Sequence, residues 1–360
     1  MKRLSSSIFN ARKSLITIIL LLVILLCYTQ WSAGRSYTLT NKIAWFSLNI
    51  STNTNKSKTF LYHHSTCSCT RSYIEQKSIS STQNEKSQSL CSEYSTRRGL
   101  HQRIISISMY GPKENALFSF NRSLNFLHQL VMDMKIIYPS WILRIYHDKS
   151  INNDIICPIE CIHNHVDFCN TTALGNLGNV GDYIPPKIWR FLPAADTFVD
   201  IMGSRDLDSP LIQRELDAVN EWISSNKVWH AMRDHPYHVV PMLGGMWGFR
   251  PELDRTFSNV LLRKILDRSL ITRYGARHDQ TFLSDQIWPH IQNSVIAHDS
   301  FLCTTSYGKN SRPWPTRRPP FNGSDCFVGC VRPCCELSKS PFGECPIACR
   351  PKEHPNWIYC

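Results

Sequence analysis

The 360-residue sequence predicts an α/β fold in which helices cover a parallel sheet. Residues 103–111, RIISISMYG, form an apolar run that ends in a glycine turn, as a buried strand does. Residues 115–134 carry apolar side chains at helical spacing, and residues 141–148, WILRIYHD, have the composition of a second strand. A strand, a helix and a strand of these lengths form a βαβ unit, whose two strands run parallel.

The remaining elements follow in chain order. The apolar pattern predicts a cysteine-bearing loop at 157–170, a helix that starts with proline at 185–196, a third strand at 197–209 and an amphipathic helix at 210–225. It then predicts a strand and a glycine-rich turn within 228–250, and helices at 259–270 and 279–291. We assign these elements to one domain over 101–303, and a hydrophobic content of 42% is enough to give it a core.

The N-terminus predicts a membrane anchor. Four lysines and arginines precede an uncharged apolar run at 15–31, which spans about 25 Å as a helix. Because these charges all lie before the run, we expect a cytoplasmic tail at 1–14, a transmembrane signal anchor at 15–31 and a luminal remainder. A cleaved signal peptide is the alternative, since small residues follow at 32–34.

Cysteines and glycosylation sequons agree with a luminal chain. Of the 15 cysteines, all but Cys27 lie beyond the anchor, which leaves an even number that fits a disulfide framework. Five N-x-S/T sequons also follow the anchor, at Asn49, Asn55, Asn121, Asn170 and Asn322. We therefore expect a disulfide-bonded glycoprotein.

Two flanking regions differ in composition from the domain. Residues 32–100 are polar and predict a flexible stem, part of which Cys67, Cys69 and Cys91 would staple. Residues 304–360 are rich in cysteine and predict a disulfide-stapled extension. The C-x3-C spacing in this extension leaves a zinc site as an alternative.

The charge of the chain restricts its partners only weakly. A net charge of +12 fits either a polyanionic partner or a basic protein of the secretory pathway. The sequence has no run of five or more lysines and arginines, which argues against a nucleic-acid-binding arm.

Two carboxylates, Asp206 and Asp208, end the third predicted strand. In α/β folds ligands bind at the carboxyl ends of strands, and side chains two residues apart in an extended chain point to one side. Neighbouring carboxylates repel one another unless they are solvated or share a cation. Their oxygens suit Mn²⁺ or Mg²⁺, which often complete their coordination with phosphate oxygens. The alternative is a solvated turn in which Asp208 or Ser209 caps the next helix.

A series of short motifs stands in order through residues 104–301: SISMYG, YPSWILRIYHD, WRFLP, RDLDS, MRDHPYH, LGGMWGFR, HDQTFL and AHDSF. Together with the N-terminal layout, these motifs resemble Golgi glycosyltransferases, and the domain resembles the GT-A superfamily of nucleotide-sugar transferases. The extension from Cys303 lies outside the resemblance. The resemblance implies a Rossmann-type central mixed sheet flanked by helices.

The resemblance also implies a metal-dependent transfer, in which Mn²⁺ or Mg²⁺ neutralises the leaving diphosphate. Asp206, Asp208 and His298 would be the metal ligands, although His298 could equally be an ordinary loop histidine. Asp279 would be the catalytic base, with Asp234 as its rival, and the alternative for Asp279 is a helix cap. A retaining reaction would not need this base.

The donor contacts implied by the resemblance are Tyr110, Gly111, Asp148, Arg190, Arg205, Gly244, Gly245 and Trp247. The arginines, with Arg233 as a further candidate, would contact the diphosphate, and the glycines would let the backbone approach the sugar. Trp247 would stack on a sugar face. Surface ion pairs are the alternative for the arginines, and a place in the core is the alternative for Trp247.

The sequence thus predicts a glycosyltransferase, single-pass type II in the Golgi membrane, with a luminal catalytic domain. Its partners would be a nucleotide sugar, a UDP- or GDP-sugar, and a glycan or glycoconjugate acceptor, without nucleic acid. A catalytically inactive, membrane-anchored carbohydrate-binding module is the alternative. A glycoside hydrolase fits less well, because its two carboxyl groups stand roughly 5–9.5 Å apart across a sugar.

Overall fold

A computed structural model describes residues 59–74, 87–111, 117–275, 278–305, 307–308, 311–318, 327–334 and 343–360. All of them belong to one compact unit, Lys56–Cys360. Within these ranges no helix has the length and apolar character needed to cross a membrane. The predicted cytoplasmic tail and signal anchor lie outside the described residues, as do three of the sequons. The other two, Asn121 and Asn170, are exposed.

The described strands are β1 (Thr59–His64), β2 (Cys69–Ile74), β3 (Gln102–Met109), β4 (Ile142–His147), β5 (Val166–Asn170), β6 (Val199–Arg205), β7 (Trp229–Arg233), β8 (Met246–Phe249), β9 (Val295–Asp299) and β10 (Ser311–Arg312). The described α-helices are α1 (Glu93–Arg97), α2 (Leu117–Ile137), α3 (Asn153–Ile162), α4 (Pro186–Trp189), α5 (Gln213–Ser224), α6 (Arg255–Leu266), α7 (Arg268–Ile271), α8 (Asp279–Phe282) and α9 (Trp288–Ile291). Short 3-10 turns follow α4, β8 and α7, and a π-helical turn, Leu283–Ile287, joins α8 to α9.

An eight-stranded sheet in the order β10-β9-β7-β8-β6-β3-β4-β5 forms the centre of the fold. Strand β8 is antiparallel to both of its neighbours, whereas the other pairings are parallel. The predicted α/β fold, with a central mixed sheet flanked by helices, is therefore confirmed.

Two apolar layers hold helices on the two faces of this sheet. Successive side chains of a strand point to opposite faces, so Ile104 joins one layer while Ile105 and Ile107 join the other. Helices α4, α6 and α8 pack in the layer of Ile104. Helices α2 and α5 pack in the layer of Ile105 and Ile107. Among the described residues, the sheet is thus covered by helices on both faces.

The strand directions bring several predicted site residues to one edge. Strands β6, β3 and β4 are parallel neighbours, and each is directly followed by one predicted site residue. These residues, Asp206, Tyr110 and Asp148, therefore share the carboxyl edge of the sheet. Strand β8 runs the other way and begins at this edge, directly after Gly244 and Gly245. The fold therefore collects most of the predicted site at one edge.

Residues 157–170 are not the predicted loop. They contain most of α3 and all of β5. Isoleucines at helical spacing, Ile155, Ile156 and Ile159, bury one side of α3 although Pro158 lies inside the helix. The polar and cysteine-rich composition of this stretch hides that periodicity. The predicted helix at 185–196 is also shorter: it ends at Trp189, and a 3-10 turn follows.

The described parts of the predicted stem, 59–74 and 87–100, are not a free spacer. Strands β1 and β2 form a hairpin, and α1 follows before β3. Disulfide bonds tie Cys67 to Cys157, Cys69 to Cys161 and Cys91 to Cys169. These bonds attach the ordered N-terminal segments to α3 and β5.

Candidate functional site

The acidic pair lies where the sequence places it, directly after β6. The Asp206 side chain is 44% exposed and that of Asp208 is half-buried. The Arg190 guanidinium lies 2.5 Å from Asp206 through its Nη1. Through Nη2 the same guanidinium donates to Asp279 Oδ2 at 2.8 Å. Arg190 therefore joins a predicted metal ligand to the predicted base.

The position of Arg190 is set by main-chain contacts. Its amide donates to the Ser108 hydroxyl of β3 at 3.1 Å, and its Nη1 donates to the Arg205 carbonyl at 2.8 Å. The side chain is only 6% exposed. The guanidinium is thus a fixed cation between two carboxylates rather than a mobile surface charge.

Gly244 and Gly245 lie against these carboxylates. A Cβ on Gly244 would come within 1.9 Å of Asp279 Oδ2, and a Cβ on Gly245 within 2.0 Å of Asp206 Oδ2. Glycine is required at both positions because any side chain would displace a carboxylate. The predicted glycine loop is therefore in contact with the acids of the site.

The charges of the site are unequal. Burial alone would raise the pKa of Asp206, but Arg190 outweighs it and holds this pKa below its usual value. Burial, and then the charge of Asp206, raise the pKa of Asp208. Lys187 lowers the pKa of both carboxyls. Lys187 is not among the residues predicted from the sequence, although it lies three residues before Arg190, on the first turn of α4.

The candidate nucleotide contacts occupy the neighbouring strand ends. Tyr110 is 40% exposed, and its ring lies edge-on to Trp189 at 6.0 Å. The Gly111 amide donates to Ser150 Oγ at 2.5 Å, and the Ser150 amide donates to Asp148 Oδ1 at 3.0 Å. These contacts link the ends of β3 and β4 into one surface beside the acidic pair.

His298 is not part of this group. Strands β8 and β7 lie between β6 and β9, which separates their ends by roughly 14 Å at ~4.8 Å per strand. His298 is fully buried, with Nδ1 2.8 Å from His230 Nε2 and Nε2 3.1 Å from Glu221 Oε2. The structure therefore places His298, predicted from the sequence as a third metal ligand, apart from Asp206 and Asp208. The side chain of Arg233 also does not join the acidic pair, because its Nε donates to Asp299 Oδ2 at 2.6 Å.

Asp234, the rival base, is fully buried in an ionic cluster. Its carboxylate accepts hydrogen bonds from Arg214 at 2.9 and 3.1 Å, Arg318 at 2.8 Å, Ser300 at 2.6 Å and the Val328 amide at 2.9 Å. Burial would raise the pKa of Asp234, but Arg214 and Arg318 lower it well below its usual value. Asp234 therefore lies in a buried ionic cluster at the end of β7, two strands from Asp206. Asp279, whose side chain is itself only 2% exposed, is bonded to Arg190 beside Asp206. The structure thus brings Asp279, and not Asp234, next to the acidic pair.

Two predicted donor contacts also point inward. Trp247 is fully buried, with its ring 5.1 Å from that of Phe191 and 5.9 Å from that of Trp229. Arg205 is buried with its Nε 2.6 Å from Glu215 Oε1. Trp247 thus has the core position left open as an alternative, whereas Arg205 forms a buried ion pair rather than the surface pair considered from the sequence.

Two other groups of potential ligands occur in the described residues: His64, Cys67 and Glu160, and Asp299, Cys303 and Cys349. The cysteines of both groups are bound in disulfides, so neither group offers a thiolate to a metal. In the extension, disulfides also join Cys330 to Cys334 and Cys345 to Cys360. The described part of the extension therefore follows the disulfide interpretation rather than the zinc alternative.

Gly245→Ala is expected to destabilise the fold by about 1–3 kcal/mol, because its Cβ forces Asp206 away from Arg190. Urea unfolding of the purified variant measures this change. Gly343→Ala is the matched control, since a Cβ there would meet no atom of the described residues within 4 Å. Equal stability of both variants would show that Asp206 is free to move.

A half-buried histidine, His238, lies next to the Asp234 cluster and makes stability depend on pH. Burial lowers the pKa of His238 to about 4, and its Nδ1 accepts the Asp234 amide at 3.1 Å. In the unfolded chain the His238 imidazole takes up a proton near its ordinary pKa of about 6.5. The contribution of neutral His238 to the free energy of unfolding is therefore complete above pH 6.5 and is lost as the pH falls from 6.5 towards 4.

His238→Asn keeps an acceptor but has no proton to gain. We expect its melting temperature to fall less between pH 6.5 and 4 than that of the wild type. Differential scanning calorimetry across this range measures how the melting temperature of each protein changes with pH. The effects of the other histidines cancel in the comparison, because both proteins contain them. Identical slopes would contradict the assignment.

No family model matches the chain, and no curated protein matches it. A similar solved structure is the crystal structure of a glycosyltransferase involved in the glycosylation of the major capsid of PBCV-1. The match has 13% sequence identity and a TM-score of 0.32, and covers 55% of this chain and 82% of that chain. A likeness of this size carries no argument about the site, which has to be interpreted from its own geometry.

Proposed function

We propose that the chain is a metal-dependent glycosyltransferase with a GT-A-like domain, which moves a sugar from a nucleoside diphosphate to an acceptor hydroxyl. The observation that carries this proposal is the meeting of Asp206, Asp208, Arg190 and Asp279 at the carboxyl edge of the sheet. Ligand sites in open α/β sheets lie at this edge.

The carboxylates of the site are suitable ligands for a hard divalent cation. Asp206 and Asp208 supply carboxylate oxygens, which Mn²⁺ and Mg²⁺ prefer, and a cation would relieve the repulsion between them. When bound, the ion would neutralise charge on the leaving diphosphate. Two protein ligands leave the rest of the coordination to water and phosphate oxygens.

The remaining residues bind and orient. Arg190 and Lys187 add positive charge next to the acids, where a diphosphate would lie. Tyr110, Gly111 and Asp148 form the adjoining surface for the base and ribose. Asp279, held by Arg190, is our candidate for the base of an inverting reaction.

The proposed setting is the Golgi lumen, with the chain held by the anchor at 15–31. It rests on the apolar segment, the sequons and the disulfide bonds. The proposed substrates are a UDP- or GDP-sugar and a glycan or glycoconjugate acceptor.

Thermal unfolding of the full-length protein tests this function. A panel of nucleoside diphosphates and nucleotide sugars is added with and without Mn²⁺, and we expect one nucleotide to raise the melting temperature only with Mn²⁺. That result would also identify the base of the donor. No shift with any nucleotide, combined with binding on a glycan array, would instead favour the carbohydrate-binding module.

A further inference from the structure

Part of the cysteine-rich extension directly contacts residues 206–209, which we name the acidic turn. Residues 327–334, which we name the extension loop, are closed by the Cys330–Cys334 disulfide. Within this loop the Arg332 amide donates to the Asp208 carbonyl at 2.8 Å. The loop thus holds the main chain of one of the two carboxylates of the site.

The extension loop is fixed at three further points. The Val328 amide donates to Asp234 of the buried ionic cluster at 2.9 Å. Gly329 has φ +91° and lies so close to Met246, the first residue of β8, that a Cβ would meet its sulfur at 2.3 Å. The Arg332 guanidinium pairs with Asp133 of α2. The loop is therefore bound to the domain on both sides of Asp208.

The acidic turn has little support of its own. Within it, the Ser209 amide approaches the Asp206 carbonyl at 3.4 Å, which is long for a hydrogen bond. The shorter bond from Arg332 restrains the carbonyl of Asp208 and hence the direction of its side chain.

We propose that the extension loop is a positioning element, which holds Asp208 beside Asp206 so that the pair can bind a divalent cation. The role in metal binding rests on the function proposed above, whereas the restraint on the turn does not. The extension, which lies outside the motifs of the domain, would then be part of the site rather than a separate cap.

The test removes the disulfide of the loop. Cys330→Ser with Cys334→Ser is expected to raise the dissociation constant of Mn²⁺ roughly tenfold, the loss usual for groups that orient metal ligands. Isothermal titration calorimetry with Mn²⁺ alone, on the full-length protein, measures it. Hydrogen exchange of the peptide 204–211 should become faster by roughly tenfold, as for the loss of one hydrogen bond.

The matched control is Cys303→Ser with Cys349→Ser, which removes a disulfide that closes a much longer loop, 46 residues against four. Because long loops gain more from closure, we expect the control to lower the melting temperature more. It should nevertheless leave Mn²⁺ affinity and exchange at 204–211 unchanged. Global destabilisation and local release of Asp208 are thereby separated.

The outcomes are distinct. Unchanged exchange at 204–211 in the loop variant, or an equal effect in the control, would overturn the positioning role. If the wild type binds no Mn²⁺, the proposed metal dependence fails, and the exchange result still decides whether the loop restrains the turn. If the double variant does not fold, Arg332→Ala, which frees the loop from Asp133 but keeps its disulfide, should increase exchange at 204–211, and no increase would again overturn the role.

Discussion

Asp208→Asn is expected to abolish Mn²⁺-dependent nucleotide binding and to lower kcat/KM of the transfer reaction by about 10²–10³-fold, as for other groups that stabilise developing charge. Asparagine keeps the shape of the side chain but removes one of the two charges that would hold the cation. The loss of binding is measured by titrating the variant with the nucleotide identified by thermal unfolding, in the presence of Mn²⁺.

The same substitution should not destabilise the protein in the absence of metal. Burial and Asp206 raise the pKa of Asp208, so its charge is unfavourable in the folded state and its removal relieves repulsion. Asp206→Asn should differ, because it takes a charged partner from buried Arg190 and lowers the melting temperature. Loss of activity without loss of stability would thus mark Asp208 as functional.

Asp217→Asn is the control for this pair. Asp217 lies on α5 and accepts a hydrogen bond from Gln213 of the same helix at 2.7 Å. We expect wild-type Mn²⁺ affinity and activity. Transfer that survives Asp208→Asn in normally folded protein would contradict the metal assignment.

The sequence predicts the local elements of the site well. The apolar run before Asp206 identifies β6, and the acids that follow it lie at the carboxyl edge as parallel strands require. WRFLP and LGGMWG point to Arg190 and to Gly244 and Gly245, which the structure brings into contact with the acids. The acids after β6 follow from the end of one strand, whereas Arg190, Gly244 and Gly245 follow from the resemblance of their motifs to the GT-A superfamily.

Inferences that depend on strand order or on distant partners could not be made from the sequence. His298 follows an apolar run as Asp206 does, but two strands inserted between β6 and β9 separate them. The MWGF strand is buried on both faces, so alternation does not show that Trp247 faces the core. The pairing of Cys67 with Cys157 joins residues 90 positions apart, and spacing alone does not specify it.

Asp234→Ala is expected to cost about 3–5 kcal/mol of folding free energy, because it leaves Arg214 and Arg318 buried without their carboxylate. It also frees the Val328 amide and thus one attachment of the extension loop. Urea unfolding of purified protein measures the loss, and kcat per folded molecule shows whether Asp234 also acts in the reaction. Since Asp234 is bonded to Arg214 and Arg318 at the end of β7, two strands from Asp206, we expect Asp234→Asn to lose stability while kcat per folded molecule falls far less than in Asp208→Asn. A stable Asp234→Asn variant without transfer activity would instead make Asp234 the base and require the ionic cluster to open during the reaction.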